Sequence, residues 1–345
     1  MVYTIIFIIL CVIAFFAGDK KPGKFVIAIL FIFFAFFVGF RGDDVDNDYL
    51  LYFKSITIKN YSRIAEFSFK LIADFFYNNF GSTVLFFLFY AVLGVWLKLV
   101  GMKKYSNYFW LSMVIYFSTF FILQEMNAIR AGVACGFMLL ALSPWQQDDK
   151  MKTFMFLLIA VFFHYSFVVL LPLIFFVKND DKKIFIFVSL IPLAYLLYFI
   201  IDIKNIFAVL NVTYVQEKST AYDYNETETK VLSTVFIIKI IFIALSYIFR
   251  KKLADNNEGF YLYLKLYCIG LFMVVVLAKL PAASMRFLDI FIIVELFLLP
   301  IFVKLFRKEF RWIPKLLIIA YSSFYLYLYM DSAKYVRDYF FIFDK

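Results

Sequence analysis

The side chains best able to do chemistry in this chain are few and far apart: Arg41, Arg130, His164 and Arg286. His164 is the only histidine, and an imidazole, with a reference pKa of about 6.5, can take and return protons near neutrality. A guanidinium offers a planar fork that matches two oxygens of a phosphate. Three arginines brought together would repel one another unless an anion joined them, and a pyrophosphate is an anion that fits. Arg41 is followed by Asp43, Asp44, Asp46 and Asp48, and then by Tyr49 and Tyr52. Carboxylates and rings in that density suit hydrogen bonding to sugar hydroxyls and stacking on sugar faces. Asn127 precedes Arg130 by three and Asp289 follows Arg286 by three, so each pair shares a helix face.

Each of these groups also has a purely structural reading. Arg41 could snorkel to headgroups, Arg286 could pair with Asp289, and Glu125, Asn127 and Arg130 could cap a helix start. His164 could be a satisfied interior histidine. What favours a site is their joint placement, which depends on the elements that carry them.

Those elements are membrane helices. The chain has 345 residues, 65% of them hydrophobic and 23% aromatic, against about 45–50% apolar in soluble domains. Backbone in a bilayer must satisfy its own hydrogen bonds, which leaves helices or a closed barrel. The apolar runs do not alternate with polar residues, so helices are expected. Spans fall near 2–17, 24–40, 82–101, 108–123, 128–142, 184–201, 231–249, 261–280, 286–303 and 315–330. Residues 2–17 read as a retained first helix, since no basic residue precedes them and another span follows at once. Cys11, Cys135 and Cys268 lie in apolar runs and read as core residues. Lys239, Lys265 and Glu295 lie mid-span and read as paired or snorkelling groups. The net charge of +10 belongs to cytoplasmic loops and gives no case for nucleic acid. Phosphate-cradling glycine loops, zinc-ligand spacings and a nucleophile elbow are missing from the sequence.

Basic residues mark the inner side. Lys20, Lys21 and Lys24, then Lys103 and Lys104, then Lys150 and Lys152, and the cluster Lys304 to Lys315 fall inside on a consistent count. That places both flanks of 153–177 inside, so this stretch must fold back as two short helices meeting near His164, Tyr165 and Ser166. The expected fold is all-α: one polytopic transmembrane domain over 1–345, with about 10–12 membrane helices and both termini outside. Two external segments, 41–81 and 202–230, are expected to act as binding loops or a lid. Within the first, Tyr61–Phe80 reads as an amphipathic helix with Ile64, Phe67, Leu71, Ile72, Phe75 and Phe76 on one side. Phe69 sits at the edge of that side, and Arg63, Glu66, Lys70 and Asp74 lie opposite. Within the second, Tyr214 and an acidic run from Asp223 to Glu228 are the notable residues.

Three motifs resemble the EpsG family of Wzy-type polysaccharide polymerases. Arg41 followed by Val45, Asp48, Tyr49 and Tyr52 is similar to the family's arginine and valine-glycine-x-aspartate-tyrosine pattern, with Asp46 where glycine is usual. Asn127 and Arg130 after Phe120, Phe121 and Ile122 resemble its asparagine-arginine motif, and Phe163-His164-Tyr165-Ser166 its phenylalanine-histidine-x-serine motif. Weaker matches are Glu66-Phe67 and Arg286-Phe287 followed by Pro300. The resemblance implies a GT-C-like membrane glycosyltransferase in the bacterial inner membrane. It would move O-antigen, capsule or exopolysaccharide repeat units from undecaprenyl pyrophosphate to the non-reducing end of another lipid-linked unit at the outer leaflet. It also implies metal-independent chemistry without cofactor, and bilayer lipid and a chain-length regulator as partners. On this reading Arg130 and Arg286 hold pyrophosphate with Arg41 as a third contact. His164 is the base, preferred to Asp48, and Asp46, Tyr49, Tyr52, Glu66, Asn127 and Tyr214 contact glycan. An O-antigen ligase and a lipid-linked oligosaccharide flippase are the alternatives.

Overall fold

The backbone of so apolar a chain has to find its partners within itself, and in the computed structural model it does so in helices. The structure describes residues 1–62, 64, 66–201 and 229–344; Arg63, Tyr214 and the acidic run from Asp223 to Glu228 lie outside the described residues. Among the described residues there is no strand, only isolated bridges Arg41–Phe341 and Asp46–Val336. Thr83–Tyr105, Phe109–Asn127 and Lys308–Ser332 are long and apolar enough to cross a membrane, and shorter apolar helices accompany them. The chain divides into two units, Met1–Phe175 with Leu296–Lys345, and Phe176–Glu295.

In the first unit, α1 (Val2–Ala17), α2 (Lys24–Gly39), α3 (Tyr49–Thr57), α4 (Phe67–Phe80), α5 (Thr83–Tyr105) and α6 (Phe109–Ile115) lead into a π-helix, Tyr116–Asn127. After it come α7 (Ile129–Gln146), α8 (Lys150–Phe163), a 3-10 segment (Tyr165–Val169) and α9 (Leu170–Phe176). Helix α7 lies along both α5 and α8, and α5 along α2. Between them, Phe34, Phe37, Phe117 and Phe121 form a buried ring cluster. Lipid is as apolar as these rings, so the cluster holds the helices by close packing rather than by escape from water.

The ends of this unit sort into two sets. At one, Lys21 Nζ donates to Lys103 O at 2.9 Å and Lys315 Nζ to Phe15 O at 2.6 Å. At the other, Phe37 stacks on Tyr339 and Tyr3 meets both rings edge-on, near Arg41. This is the grouping that the basic-loop count requires.

The stretch 153–177 breaks at His164, whose backbone is extended (φ −150°, ψ 112°). Lys150 Nζ lies 5.6 Å from the Phe175 ring centroid. A continuous helix would set those residues about 37 Å apart, so the chain folds back, as expected.

Helix α4 departs from expectation. It begins at Phe67 rather than Tyr61, and Glu66 is its N-cap rather than part of its polar face. Phe69, Ile72 and Ala73 are its buried side, while Phe67, Leu71 and Phe75 form an exposed apolar stripe. Tyr165 Oη accepts the Phe67 N–H at 3.2 Å and fixes this start against the fold-back.

In the π-helix the Ala128 N–H reaches back five residues to Leu123 O at 2.9 Å. The wide turn accommodates Glu125, whose carboxylate pairs with Lys98 of α5 and accepts from Tyr116 Oη at 3.2 Å. A Cβ on Gly94 would overlap that carboxylate, so α5 needs glycine there.

In the second unit, α10 (Ile184–Ile200), α11 (Thr234–Ile248), α12 (Arg250–Ala254), α13 (Phe260–Val276) and α14 (Pro281–Phe291) precede Glu295. Pro281 opens α14, a position where its missing N–H and fixed φ are no handicap, and the run is interrupted at Ile292–Val294. The mid-span charges are paired: Lys239 Nζ with Glu295 at 2.5 Å, Tyr267 Oη donating to the same carboxylate, and Lys265 Nζ with Asp180 at 2.7 Å.

Removing one member of a buried pair strands the other, typically for about 3–5 kcal/mol, whereas apolar replacement of both is often near neutral. Lys98→Met should therefore lower the melting temperature of the purified protein sharply, and Lys98→Met with Glu125→Met should recover most of the loss. A double variant no more stable than the single one would show that the pair does not carry this load.

Candidate active site

A guanidinium that leaves water must find a partner for its N–H groups, and Arg41 does so entirely within the protein. It is 0% exposed. Its Nε donates to Asp46 Oδ2 at 2.5 Å, Nη1 to Val38 O at 2.8 Å and Nη2 to Met126 O at 2.9 Å. Its face lies 5.4 Å from the Tyr49 ring centroid and 5.1 Å from that of Phe87. The second oxygen of Asp46 accepts the N–H groups of Asp48 (3.0 Å) and Tyr49 (2.8 Å), which opens α3. Asn127 ties the same loop to the π-helix. Its Nδ2 donates to Ile122 O at 2.9 Å, and its Oδ1 accepts from Asn47 N at 3.2 Å.

These contacts revise several sequence expectations. Arg41 as a third pyrophosphate contact is corrected, because its donors are taken by Asp46 and two carbonyls. Asp46 and Asn127 as glycan contacts are corrected for the same reason. Tyr49 stacks on Phe87 at 4.2 Å and Tyr52 packs on Phe69; each is 2% exposed, so neither ring offers a face to a sugar. The stretch that looks most like a ligand loop is a structural knot.

A second cluster forms beside it. Glu66 Oε1 lies 2.7 Å from His164 Nδ1, and Glu66 Oε2 pairs with Arg130 Nη1. Helix starts bring all three together: α4 contributes Glu66, α7 Arg130, and the extended break after α8 His164. The Arg130 guanidinium sits between the rings of Tyr52 (5.7 Å) and Phe69 (5.9 Å). Glu66 is 5% exposed, while the His164 and Arg130 side chains keep 13% and 18% of their surface open. The cluster is dry on its carboxylate side and reachable on the other.

Burial alone would raise the Glu66 carboxyl, but the His164 hydrogen bond and the Arg130 charge outweigh it and hold the group at about 2. An ionised Glu66 can only accept, so His164 Nδ1 carries a proton, and in the neutral ring the lone pair is on Nε2. Asp48, half-buried next to this cluster, behaves oppositely. Burial pushes its carboxyl up and Asp46 adds to this, against the charges of Arg130 and Arg41.

Arg286 stands in the second unit, on α14, one turn before Asp289. Among the described residues no group of three or more metal-binding side chains gathers. Two features went unread in the sequence: Glu66 as the partner of His164, and the C-terminal residues that pair with the Arg41 loop. For Glu66 the sequence offered only the weaker family match Glu66-Phe67, which names no partner.

A family model covers residues 24–343, from the start of α2 to near the C-terminus. The chain belongs to the EpsG family. The match takes in all three motifs together with Glu66 and Arg286. No curated protein and no solved structure matches the chain.

Two expectations follow for stability. Arg41→Lys keeps the charge but not the three-way fork, so the melting temperature should fall nearly as far as with Arg41→Ala; an unchanged melting temperature would return Arg41 to the ligand-binding side. Glu66 has a folded pKa below its ordinary 4.5, so its contribution is complete above about pH 4.5 and is lost as pH falls toward about 2. Melting curves across that window should show an acid limb that Glu66→Gln flattens.

Proposed function

We propose that this EpsG-family protein is a membrane glycosyltransferase of the polymerase type. On this proposal it transfers a glycan from undecaprenyl pyrophosphate to the non-reducing end of a second lipid-linked repeat unit. The reaction takes place at the outer leaflet of the bacterial inner membrane, and the arginine loop, Glu66 and His164 lie on the outer side. The observation that carries the reading is the Glu66 carboxylate joining His164 to Arg130.

The chemistry needs a base and a stabilised leaving group. A hydroxyl of the acceptor gives its proton to His164 Nε2 while its oxygen attacks the anomeric carbon of the donor. The bond from that carbon to the pyrophosphate oxygen breaks, and the pyrophosphate leaves with the electron pair. Glu66 holds the ring in the tautomer that can accept and offsets the imidazolium once it forms, the role the buried carboxylate plays in acid–base triads. Arg130, with an unpartnered buried Nε among the described residues, stands where charge on the departing pyrophosphate would develop. Preorganised cations in a site poor in water act strongly on such charge. Asp48, with its raised pKa, is the acceptor-hydroxyl holder of this scheme. Arg286 rests on its charge and its place beside Asp289, and its own alanine variant tests it.

The deciding assay uses the full chain in liposomes supplied with lipid-linked repeat units. Polymerisation gives a ladder of chain lengths, ligation needs a lipid A core acceptor, and flipping moves substrate without making bonds. His164→Ala should slow polymer formation by about 10²–10⁴-fold, the usual worth of a positioned base, and Arg130→Ala should leave only single units. Ladders of normal length from the His164 variant would move the base role to Asp48.

A further inference from the structure

We propose that residues 334–344 form a strap that holds the Arg41–Asp48 loop in register and thereby positions Asp48 and Tyr52 beside Arg130. The catalytic meaning of this role rests on the active-site reading above; its mechanics do not.

After the last helix the chain runs back antiparallel to residues 40–47, bridging at Arg41–Phe341 and Asp46–Val336. The Ile342 N–H donates to Phe40 O at 2.9 Å, the Gly42 N–H to Phe340 O at 2.9 Å, and the Arg337 N–H to Val45 O at 2.8 Å. Side chains fix the run at its middle and toward its start. Tyr339 Oη donates to Phe37 O at 2.9 Å, and its ring stacks on Phe37 at 4.0 Å. Toward the start, Arg337 pairs with Asp44, and Asn47 Nδ2 donates to Lys334 O at 3.2 Å.

The loop needs this partner. Asp46 is committed to Arg41 and to the first N–H groups of α3, so the rest of the loop backbone has little left to bond with. Without the strap the Gly42 N–H and the Val45 carbonyl lose their partners, and unpaired buried backbone groups are strongly disfavoured. Gly42 shows how close the fit is: a Cβ there would fall inside the Phe340 ring. Phe340 and Ile342 also face Tyr49, Leu50 and Phe53 across a small cleft with Asp43 at its rim. The strap thus touches the loop, the start of α3 and, through α3, the ring of Tyr52 that lies against Arg130. Displacing it moves Asp48 and Tyr52 together and leaves the Glu66–His164 contact untouched.

The experiment uses the full chain in nanodiscs and reads two quantities. One is hydrogen exchange at the amides of 42–57, with Thr83–Tyr105 as internal reference. The other is turnover of undecaprenyl-pyrophosphate-linked repeat units extracted from the source cells. Gly42→Ala should speed exchange in 42–57 by about tenfold or more without touching the reference helix. It should lower kcat by a similar factor while KM stays within about threefold, because Arg130 still grips the donor. Adding Phe340→Ala makes room for the new methyl and should restore both quantities. Unchanged exchange in Gly42→Ala, or a double variant no better than the single one, overturns the strap. A wild-type protein that polymerises nothing while exchange responds as described sinks the polymerase reading and leaves the strap standing. A His164-dependent polymerase indifferent to Gly42→Ala sinks the strap alone.

Discussion

Everything around the Arg41 loop of the first unit depends on the solvation of one arginine. Arg41 emerges from α2 at the point where apolar sequence ends, and it turns inward, not toward water. A buried cation is tolerable only when it is paired and its N–H groups are bonded. Meeting that demand draws in the end of α2 through Val38, the π-helix through Met126 and the loop through Asp46. Three separate stretches of chain thus share one anchor. The helix that begins at Tyr49 takes its first N–H partner from the same Asp46 carboxylate, so its direction is set by the arginine two steps removed.

The second cluster reverses that economy. Around Arg41 the charges cancel and the surface closes; around Glu66 they cancel and the surface stays partly open. Glu66 bridges a fixed cation and a titratable ring, and a low pKa keeps the bridge anionic at any physiological pH. A neutral carboxyl there could not fix the histidine tautomer, because it could donate as well as accept. The buried lysine–glutamate pairs, Lys98 with Glu125 and Lys239 with Glu295, are a third case. They are sealed by tyrosine hydroxyls and tie helices to one another inside each unit.

Much of this was legible in residue types and spacing. Apolar run lengths located the helices to within a few residues, and the balance of basic residues demanded a fold-back at His164, where the backbone does break. Mid-span Lys239 and Lys265 were readable as paired or snorkelling because an isolated charge in lipid is too costly, and the structure pairs both. What spacing could not convey was direction. Arg41, Asp46, Tyr49 and Asn127 have the composition of a ligand site, but an inward side chain and an outward one look identical in a string of letters. Glu66 was misread for the related reason that a helix start six residues later than expected turns a polar-face residue into a cap. The pairing of residues 334–344 with residues 40–47 joins segments about 300 positions apart, and no local pattern announces it.

The π-helix carries a consequence for how this sequence can change. From Tyr116 to Asn127 the backbone holds its register with bonds that span five residues, and Arg130 follows three positions later on α7. Each residue of an α-helix accounts for about 100° of rotation. Deleting a single position from this segment would tighten the coil and swing Arg130 by about that angle, away from Glu66. Swapping one apolar side chain for another in the same stretch leaves the angle alone. Residues 116–127 are therefore far less tolerant of a change in length than of a change in letter, and insertions and deletions among relatives are expected to avoid them.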